Sequence, residues 1–519
     1  MITDANTPPS GTIRDWLDYR AESIGGEISH LFTDGDPSLT WNDLRDEASK
    51  TARYLTSLGI SKGESIAIML PNSRDAIVAL FGVFVGGFRA TAINLGAGAE
   101  AIGYALCHSD ARFVILGTDQ DTLFEQAIAC HPNSIKRLAP RVSTDVGHNI
   151  ALYNINPDDH ALLMYTSGTT GRPKGVVHTH SSLLAGGWTT SIAHALDASD
   201  RAFCVLPIYH INGLCVTVVA PLVSGGSVVM SPKFSASRFW QDCEEYNVTW
   251  FSVVPTIISH LLHGAHDPSA KTKSHIRFGR SASAALAPEV QTAFETRFDV
   301  PIVETMGMTE TAAQILSNPL PPGTRKIGSP GRAYGNEAAI LSNGLTPVMD
   351  GSEGEIAVRG PNMMLEYLKN PEATYETFTA EGWLRTGDLG RIDEDGYIYV
   401  TGRLKELIIK GGENIAPREI DEALYSHSDV VEAAAFSRPC PSYGERVEAA
   451  VTIKTNARVS SDDLITICHE KLGVFKSPDR VFILDDLPKG PSGKIQRLRL
   501  AELTGDMIST SNADTYEEN

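Results

Sequence analysis

The chain has 519 residues, of which 42% are hydrophobic and 21% charged, and its formal net charge is −19. This composition is typical of globular proteins and excludes a mainly disordered, collagen-like or coiled-coil chain. The length predicts about three or four structural units. The negative charge argues against a broad nucleic-acid surface, but it leaves room for a local basic pocket that binds phosphates.

Cysteine usage and the N-terminal segment predict where the protein resides. The seven cysteines include no CxxC pair, and the first residues lack the basic and apolar regions of a signal peptide. We therefore expect a reduced, cytoplasmic protein without a disulfide framework or a structural zinc site. The uncharged stretches 76–88 and 203–230 do not predict membrane spans, because the first is short and the second contains prolines and glycines. We interpret the second stretch as buried strands and loops.

Up to about residue 325, short apolar runs alternate with longer helical patterns. A helix is predicted at Ser73–Phe84. The predicted strands are Glu64–Met69, Phe113–Leu116 and Ala161–Met164, and short apolar runs between helix-like segments lie at Val205–Leu206, Ser227–Met230 and Trp250–Val254. This alternation is typical of α/β layers around a parallel sheet.

The pattern changes twice in the second half of the chain. From about 325 to 401, short alternating runs such as Gly354–Arg359 and Tyr397–Val400 lie between turn residues and predict a small antiparallel β unit. Beyond Gly402, a compact α+β domain is predicted. Its elements are a helix at Pro417–Ser426, strands at Val431–Phe436 and Glu448–Lys454, and a helix at Ser461–Leu472.

Residues 165–176, with the sequence YTSGTTGRPKGV, form a glycine-rich segment after the strand predicted at Ala161–Met164. Glycines let backbone N–H groups approach an anion, the hydroxyls add donors, and Lys174 adds a positive charge. The segment differs from a Walker A loop and from GxGxxG. The density of donors favours a phosphate cradle over a flexible surface turn. The candidate ligands are Thr166, Ser167, Gly168, Thr169, Thr170, Gly171 and Lys174.

This segment closely resembles the signature of the adenylate-forming superfamily, which includes acyl-CoA synthetases, the adenylation domains of peptide synthetases and firefly luciferase. Further motifs follow in that family's order, so the resemblance covers nearly the whole chain, from about residue 40 to 497. These motifs are MGMTET at 306–311, WLRTGD at 383–388, the run 402–421, and PSGKIQR at 491–497.

The chemistry of the second and third motifs, together with the resemblance, predicts a nucleotide site. Thr309 can hydrogen-bond a phosphate oxygen, and Glu310 is a hard oxygen ligand suited to Mg²⁺. Asp388 can accept hydrogen bonds from the two ribose hydroxyls. Arg403 resembles the arginine near the ribose and phosphates, and Met306 stands where the family has an adenine-stacking tyrosine. Further cofactor-binding candidates are Ser283 and Gly307.

The resemblance also implies roles for residues in the last hundred positions. Lys405 occupies the interdomain hinge, and Gly411 and Gly412 resemble the glycine turn beside the thiol tunnel. Lys476 lies where some relatives contact the nucleotide of CoA. Lys494 is expected to bind the substrate carboxylate and the α-phosphate together.

The fold implied is α/β, with a large N-terminal domain of α/β subdomains plus a small β-barrel unit, hinged to a small α+β C-terminal domain. We place the N-terminal domain at 1–402, with its β-rich subdomain at about 325–401. The hinge is predicted at 403–405, the mobile C-terminal domain at 406–504, and a flexible tail at 505–519.

The implied activity is that of an AMP-forming acid–CoA ligase, which uses ATP and Mg²⁺ to convert a carboxylic acid to an acyl-adenylate and then transfers the acyl group to coenzyme A. The expected catalytic residues are His210, Lys174, Thr309, Glu310 and Lys494. His210 fits the family's aromatic gate beside the carboxylate, although a buried structural histidine is the alternative. We expect a monomer or homodimer that binds no nucleic acid and has no membrane span.

Alternatives remain open at this stage. An adenylation enzyme that loads an acyl or amino acid onto a carrier protein has the same fold, and a non-catalytic nucleotide-binding paralogue or a luciferase-like oxygenase belongs to another class. The surroundings of His210 and Arg280 suggest a short polar acid, dicarboxylic or sulfonated, while medium-chain and aromatic acids stay open. Arg280 could contact a second anionic group, but we expect it to face water at the end of a strand.

Overall fold

The computed structural model describes residues 7–130, 135–142, 150–166, 173–342, 346–348, 351–490 and 495–513. Within them the chain forms two large sheets flanked by helices, a smaller antiparallel sheet, and a separate C-terminal sheet. This architecture confirms the predicted α/β class with a large N-terminal part and a smaller α+β C-terminal part. The exact domain limits stay predictions.

The largest sheet of the described residues has nine strands, and its centre is parallel. In spatial order the strands are Arg332–Ala333, Ala313–Ser317, Ile302–Met308, Phe278–Ser281, Trp250–Val253, Arg201–Cys204, Ser227–Met230, Ile28–Phe32 and Leu39–Thr40. Neighbours from Ile302–Met308 to Ile28–Phe32 pair in parallel, and antiparallel pairs lie at both ends. The carboxyl ends of the central strands therefore share one edge.

A second sheet, counted over the same residues, has seven strands. They are, in spatial order, Glu366–Tyr367, Lys174–Thr179, His160–Thr166, Arg89–Ala92, Ser65–Met69, Phe113–Leu116 and Lys136–Leu138. The strands His160–Thr166 and Lys174–Thr179 are antiparallel, with Thr166 opposite Lys174. The glycine-rich segment therefore connects two paired strands, although its residues 167–172 lie outside the described part.

The predicted β unit is an antiparallel sheet, with five strands in the described ranges. Their spatial order is Pro347–Val348, Glu337–Leu341, Gly354–Arg359, Leu384–Ile392 and Ile398–Arg403. The C-terminal sheet contains Glu413–Ile415, Ile408–Lys410, Gly444–Ile453, Val430–Cys440 and Arg480–Ile483. In the first of these sheets Asp388 lies directly opposite Arg403.

Helices cover the sheets and connect their strands. The α-helices are, in chain order, Ile13–Ile24, Trp41–Ser57, Arg74–Gly86, Ala99–His108, Asp121–Cys130, His180–Ala193, Ala220–Ser224, Phe239–Glu245, Pro255–His263, Ala270–His275, Pro288–Phe298, Pro371–Thr377, Pro417–Tyr425, Ser461–Lys476 and Arg497–Ala513. Short 3₁₀ turns occur at Thr118–Gln120 and Thr309–Thr311. None of the helices in the described ranges is long and apolar enough to cross a bilayer.

Local capping explains why several helices begin where they do. The Thr40 hydroxyl accepts a hydrogen bond from the backbone N–H of Asp43, and the Asp43 carboxylate accepts one from Thr40, which is a reciprocal capping box. Ser73 caps the helix Arg74–Gly86, and Gly87 ends it at φ 75°. The helix predicted at Ser73–Phe84 therefore begins after a capping serine and ends at a glycine.

We interpreted the stretch 203–230 as buried strands and loops, and its structure shows that this is wrong for the middle of the stretch. Its middle is a π-helix, Asn212–Val219, followed by the helix Ala220–Ser224. Every residue of the π-helix is buried, so no polar face marks it in the sequence. The apolar run Val205–Leu206 lies directly after the strand Arg201–Cys204. The Asn72 amide donates a hydrogen bond of 2.9 Å to the carbonyl of Leu206.

The last helix, Arg497–Ala513, continues past residue 504, where we predicted that the C-terminal domain ends. Its first turns carry Leu500, which is fully buried against Phe436 and Leu487. The limit at 504 and the flexible tail at 505–519 stay predictions.

Candidate active site

A cavity of about 260 Å³ lies at the carboxyl edge of the nine-stranded sheet, between the N-terminal and C-terminal parts. In parallel sheets ligands usually bind at this edge. The N-terminal wall is formed by the segments 254–256, 283–287 and 304–308, and the antiparallel sheet adds Asp388 and Arg403. From the C-terminal part come Arg418, Glu422, Tyr425, Ile495 and Arg497.

The predicted phosphate lysine and the predicted metal ligand lie beside the same tyrosine. The Lys174 Nζ lies 4.4 Å from the centre of the Tyr367 ring, a distance suited to a cation–π contact. The Tyr367 hydroxyl donates a hydrogen bond of 2.6 Å to Glu310 Oε1. Burial and the charge of Glu310 raise the pKa of Tyr367, so the phenol stays neutral and keeps donating. Sequence reasoning missed Tyr367.

The turn that carries Thr309 and Glu310 is held in place by side chains from elsewhere. The His178 ring contacts the Thr309 carbonyl at 2.7 Å through Nε2 and the Ser182 hydroxyl at 2.9 Å through Nδ1. Burial lowers the pKa of His178 to about 4, so the ring is neutral at physiological pH. Asn362 donates to the Thr311 carbonyl at 2.8 Å. These contacts fix the Glu310 carboxylate rather than bind a ligand.

Met306, Gly307 and Ser283 line the cavity together. Gly307 needs to be glycine, because a Cβ there would lie 1.4 Å from the carbonyl oxygen of Ala313 on the paired strand. Ser283 has φ 74°, a left-handed conformation that non-glycine residues rarely adopt. Its hydroxyl accepts a hydrogen bond of 3.3 Å from the Asn212 amide. Strained backbone of this kind clusters at functional sites.

The ribose candidate and the predicted arginine form an ion pair in the cavity wall. Arg403 Nε lies 3.2 Å from Asp388 Oδ1, and the two residues are directly opposed on neighbouring strands. The Thr386 hydroxyl accepts a hydrogen bond from the Asp388 backbone N–H at 3.1 Å. The two side chains are therefore adjacent in the cavity wall. The carboxylate can accept hydrogen bonds from hydroxyls, and the guanidinium can bind a phosphate.

The C-terminal part closes the cavity through a few polar contacts. Arg418 donates to the carbonyl of Val400 at 2.8 Å, and Ser259 donates to the carbonyl of Val431 at 2.8 Å. Burial raises the pKa of Glu304 in the N-terminal wall, while the charge of Arg418 opposes that rise. Tyr425 adds apolar packing against the core of the N-terminal part.

Some predicted site residues lie elsewhere or outside the described part. Gly411 and Gly412 form the exposed tip of a hairpin, at φ 62° and 89°, away from the cavity lining. Lys476 is paired with Glu419 at 2.5 Å, and Lys405 is exposed in the turn after the strand Ile398–Arg403. Lys494 and the loop residues Ser167, Gly168, Thr169, Thr170 and Gly171 fall outside the described residues. Their roles stay predictions.

His210 and Arg280, which the sequence analysis connected with the acid substrate, are not among the residues that line the cavity. His210 is half-buried, its ring centre lies 5.0 Å from that of Tyr209, and its carbonyl accepts from Leu214 as the chain enters the π-helix. Arg280 contradicts our expectation that it faces water, since it is only 1% exposed. It lies in the strand Phe278–Ser281, which pairs with a strand on each side and so lies inside the sheet. Its guanidinium donates hydrogen bonds to Asn212 and Ser252, which the sequence analysis did not identify as site residues.

The residues present fit a nucleotide and a magnesium ion. Glu310 offers one carboxylate, and no group of three or more His, Cys, Asp or Glu side chains forms a protein-only metal site among the described residues. Mg²⁺ commonly binds one or two carboxylates plus substrate phosphates and waters, so a single carboxylate suffices. The Asp388–Arg403 pair supplies acceptors and a cation for ribose and phosphate.

Comparison with known proteins identifies the class. The family model described as AMP-binding enzyme matches residues 20–368, and the model of the AMP-binding enzyme C-terminal domain matches 419–494. The chain therefore belongs to the AMP-binding enzyme family, within the adenylate-forming acyl-CoA synthetase superfamily. This confirms the resemblance of the motifs.

Individual relatives narrow the class further, to the AMP-forming ligases. A sulfoacetate–CoA ligase from Cupriavidus necator is 46% identical over 96% of this chain and 99% of its own length. An oxalate–CoA ligase from Arabidopsis thaliana is 35% identical over 93% of this chain and 95% of its own. The structure of ATP-bound MatB from Rhodopseudomonas palustris matches with a TM-score of 0.86 and 28% identity, over 95% and 99% of the two chains.

Proposed function

We propose that this ligase activates a short carboxylic acid bearing a second anionic group, with sulfoacetate as the first candidate, and transfers its acyl group to coenzyme A. The names of two similar ligases support this substrate class, because sulfoacetate and oxalate are both two-carbon acids with two negative charges. The high identity to the sulfoacetate ligase, over nearly the full length of both chains, favours the sulfonated acid.

The single observation that carries the reaction type is the arrangement of charged groups along the cavity. Asp388 and Arg403 lie in its wall, and Lys174, Tyr367 and Glu310 lie just beyond Met308, which also lines it. If Asp388 binds the ribose of ATP, the phosphates are expected to lie toward Arg403, Lys174 and Glu310. Three anionic groups must converge for adenylation, so positioning and charge neutralisation are the main catalytic tasks.

In the first half-reaction, a carboxylate oxygen of the acid attacks the α-phosphorus of ATP. The new bond joins that oxygen to phosphorus, and the bond from the α-phosphorus to pyrophosphate breaks. Lys174 neutralises charge on the phosphates, and Glu310 is the carboxylate that would hold Mg²⁺, which, when bound, screens the leaving pyrophosphate. The His178 contact keeps the Glu310 turn in position.

In the second half-reaction, the CoA sulfur attacks the acyl carbon, AMP leaves, and the thiol proton passes to solvent or phosphate. We propose that Lys494 serves the first half-reaction, since Ile495, the residue after it, lines the same cavity. The exposed hairpin tip at Gly411 and Gly412 then replaces it by rotation about Lys405. Lys405 is exposed in the turn that joins the two parts, which suits a hinge.

A panel assay of pyrophosphate release tests the proposal. Sulfoacetate, oxalate, malonate, acetate, butyrate and benzoate are supplied with ATP and Mg²⁺, with and without CoA, and the thioester is identified by mass spectrometry. We expect the highest kcat/KM for a doubly anionic acid and a thioester with free CoA. Preference for butyrate or benzoate would overturn the substrate class. Transfer to a carrier protein but never to free CoA would overturn the ligase assignment.

A further inference from the structure

Arg280 is a buried cation whose hydrogen-bond partners in the protein are neutral. It lies in the strand Phe278–Ser281 and is 1% exposed. One guanidinium nitrogen donates to Asn212 Oδ1 at 2.8 Å and to the Ser252 hydroxyl at 3.1 Å. Its Nε is buried without a hydrogen-bond partner. Arginine carries five N–H donors in a rigid fork, so this guanidinium still has donors to offer an anion.

No carboxylate within the described ranges lies within ion-pair distance of Arg280. The titratable groups that act on it are Cys215 and His194, and both are neutral. Burial raises the pKa of the Cys215 thiol and lowers that of His194 to about 3. Burial also lowers the pKa of Arg280 itself, to about 9, which leaves it charged at neutral pH.

Such a charge is costly unless something compensates it. Burying one ion without a partner costs several kcal/mol in proteins. The buried Asp200, for example, avoids this cost through its ion pair with the exposed Arg277 at 2.5 Å. The buried Arg20 avoids it by donating to the carbonyls of Leu222 and Val223, at the end of a helix. Arg280 has neither arrangement, so its counter-ion is expected to come from outside the protein.

Asn212 connects this cation to the cavity. Its Oδ1 accepts from Arg280, and its amide donates to Ser283, which lines the cavity and has the left-handed φ of 74°. Asn212 is also the first residue of the π-helix, directly after His210 and Ile211. Single π-helical turns are rare and frequently mark functional sites. The guanidinium is therefore connected through one side chain, that of Asn212, to the cavity lining at Ser283.

We infer that Arg280, with Asn212 and Ser252, forms the subsite that binds the second anionic group of the acid, a sulfonate or a second carboxylate. The inference rests on the proposed function and adds the residues that select the substrate. Oxygens of either group accept paired hydrogen bonds from a guanidinium fork. An acid without the second charge leaves Arg280 uncompensated, so the same residue that favours dianions also disfavours simple fatty acids.

The test compares sulfoacetate with 3,3-dimethylbutyrate, in which an uncharged tert-butyl group replaces the sulfonate. The readout is the ratio of kcat/KM for the two acids. In Arg280→Met this ratio is expected to fall about 100-fold or more, because truncating one partner of a buried charge pair has effects of that size. Arg280→Lys, which retains the charge, is expected to recover part of the ratio.

Arg20→Met is the matched control, since it also removes a buried arginine but one bonded to backbone carbonyls away from the cavity. It is expected to lower both activities together and leave the ratio unchanged. Asn212→Asp provides a second test if Arg280→Met fails to fold, because it places a fixed negative charge beside the guanidinium. We expect it to raise the KM for sulfoacetate at least 30-fold with the melting temperature retained.

The outcomes separate the two proposals. If the wild-type enzyme prefers 3,3-dimethylbutyrate, the proposed substrate class is wrong. If the wild-type enzyme prefers sulfoacetate and Arg280→Met or Asn212→Asp keeps that preference, the substrate class stands and the Arg280 subsite is wrong. A ratio that falls equally in Arg20→Met would show a general loss of structure and would also overturn the subsite.

Discussion

The proposed nucleotide end of the site and its proposed acid end differ in how their charges are compensated. At the nucleotide end, Asp388 forms an ion pair with Arg403. Lys174 lies over the Tyr367 ring, and the Glu310 carboxylate accepts a hydrogen bond from the Tyr367 hydroxyl. At the acid end, the hydrogen-bond partners of Arg280 within the described ranges are the neutral Asn212 and Ser252. The first end is stabilised before any ligand arrives, whereas the second gains its counter-charge from the substrate. ATP is the same in every turnover, so only the acid end needs to select by charge.

The largest effect is expected from Lys494→Ala. Loss of a cation that contacts the reacting groups is expected to lower acyl-adenylate formation about 1000-fold. Thioester formation from supplied acyl-adenylate should stay within about 3-fold of wild type, because the lysine leaves the site before that step. Both half-reactions are measured separately by pyrophosphate and thioester release. Lys471→Ala, on the exposed side of the helix Ser461–Lys476, is the control.

Equal losses in both half-reactions, with an unchanged circular dichroism spectrum, would contradict the separate role of Lys494. Such a result would mean that the lysine stays at the nucleotide end during both half-reactions. The proposed domain movement between them would then be wrong.

Asp388→Ala tests the nucleotide end alone. It removes acceptors for two ribose hydroxyls and leaves Arg403 unpaired, so kcat/KM for ATP is expected to fall about 100-fold. The preference for sulfoacetate over 3,3-dimethylbutyrate should not change, in contrast to Arg280→Met. The measurement is a pair of substrate titrations, with the exposed Asp119→Ala as control. A changed acid preference would show that the two ends are coupled.

Glu310→Gln keeps the shape of the side chain and removes its charge. We expect the Mg²⁺ concentration for half-maximal adenylation to rise about 30-fold, because a neutral amide is a poorer ligand for a hard cation. The exposed Glu376→Gln serves as the matched variant. An unchanged Mg²⁺ titration would mean that the ion is held elsewhere, and the assignment of the metal site would fail.

Tyr367→Phe is expected to have the smallest effect. It retains the ring over which Lys174 lies but removes the hydrogen bond to the Glu310 carboxylate. Loss of one hydrogen bond to a charged group predicts about a 10-fold lower kcat for adenylation. Tyr375→Phe, at a side chain that is 84% exposed, should leave kcat unchanged. If both variants behave alike, Tyr367 does not position Glu310.

The amino-acid sequence by itself determined the elements whose signals are local, and through its motifs the family. The helix at Ser73–Phe84 was predictable because Ser73 and Gly87 cap it. The strands Phe113–Leu116 and Ser227–Met230 match their apolar runs. The motifs around Lys174, Glu310 and Asp388 could be read because backbone hydrogen bonding and phosphate chemistry require particular residue types at short spacings. The roles of these residues in catalysis stay predictions.

Only the tertiary structure decided which distant residues meet. Tyr367 joins Lys174 to Glu310 across nearly two hundred positions, and no local pattern marks it. The π-helix Asn212–Val219 escaped prediction because it is buried on every side and lacks an amphipathic period. We expected the Arg280 side chain to be exposed to solvent because arginine side chains usually are. Its burial follows from strands on both sides of Phe278–Ser281, and long-range packing of this kind leaves no trace in the neighbouring sequence.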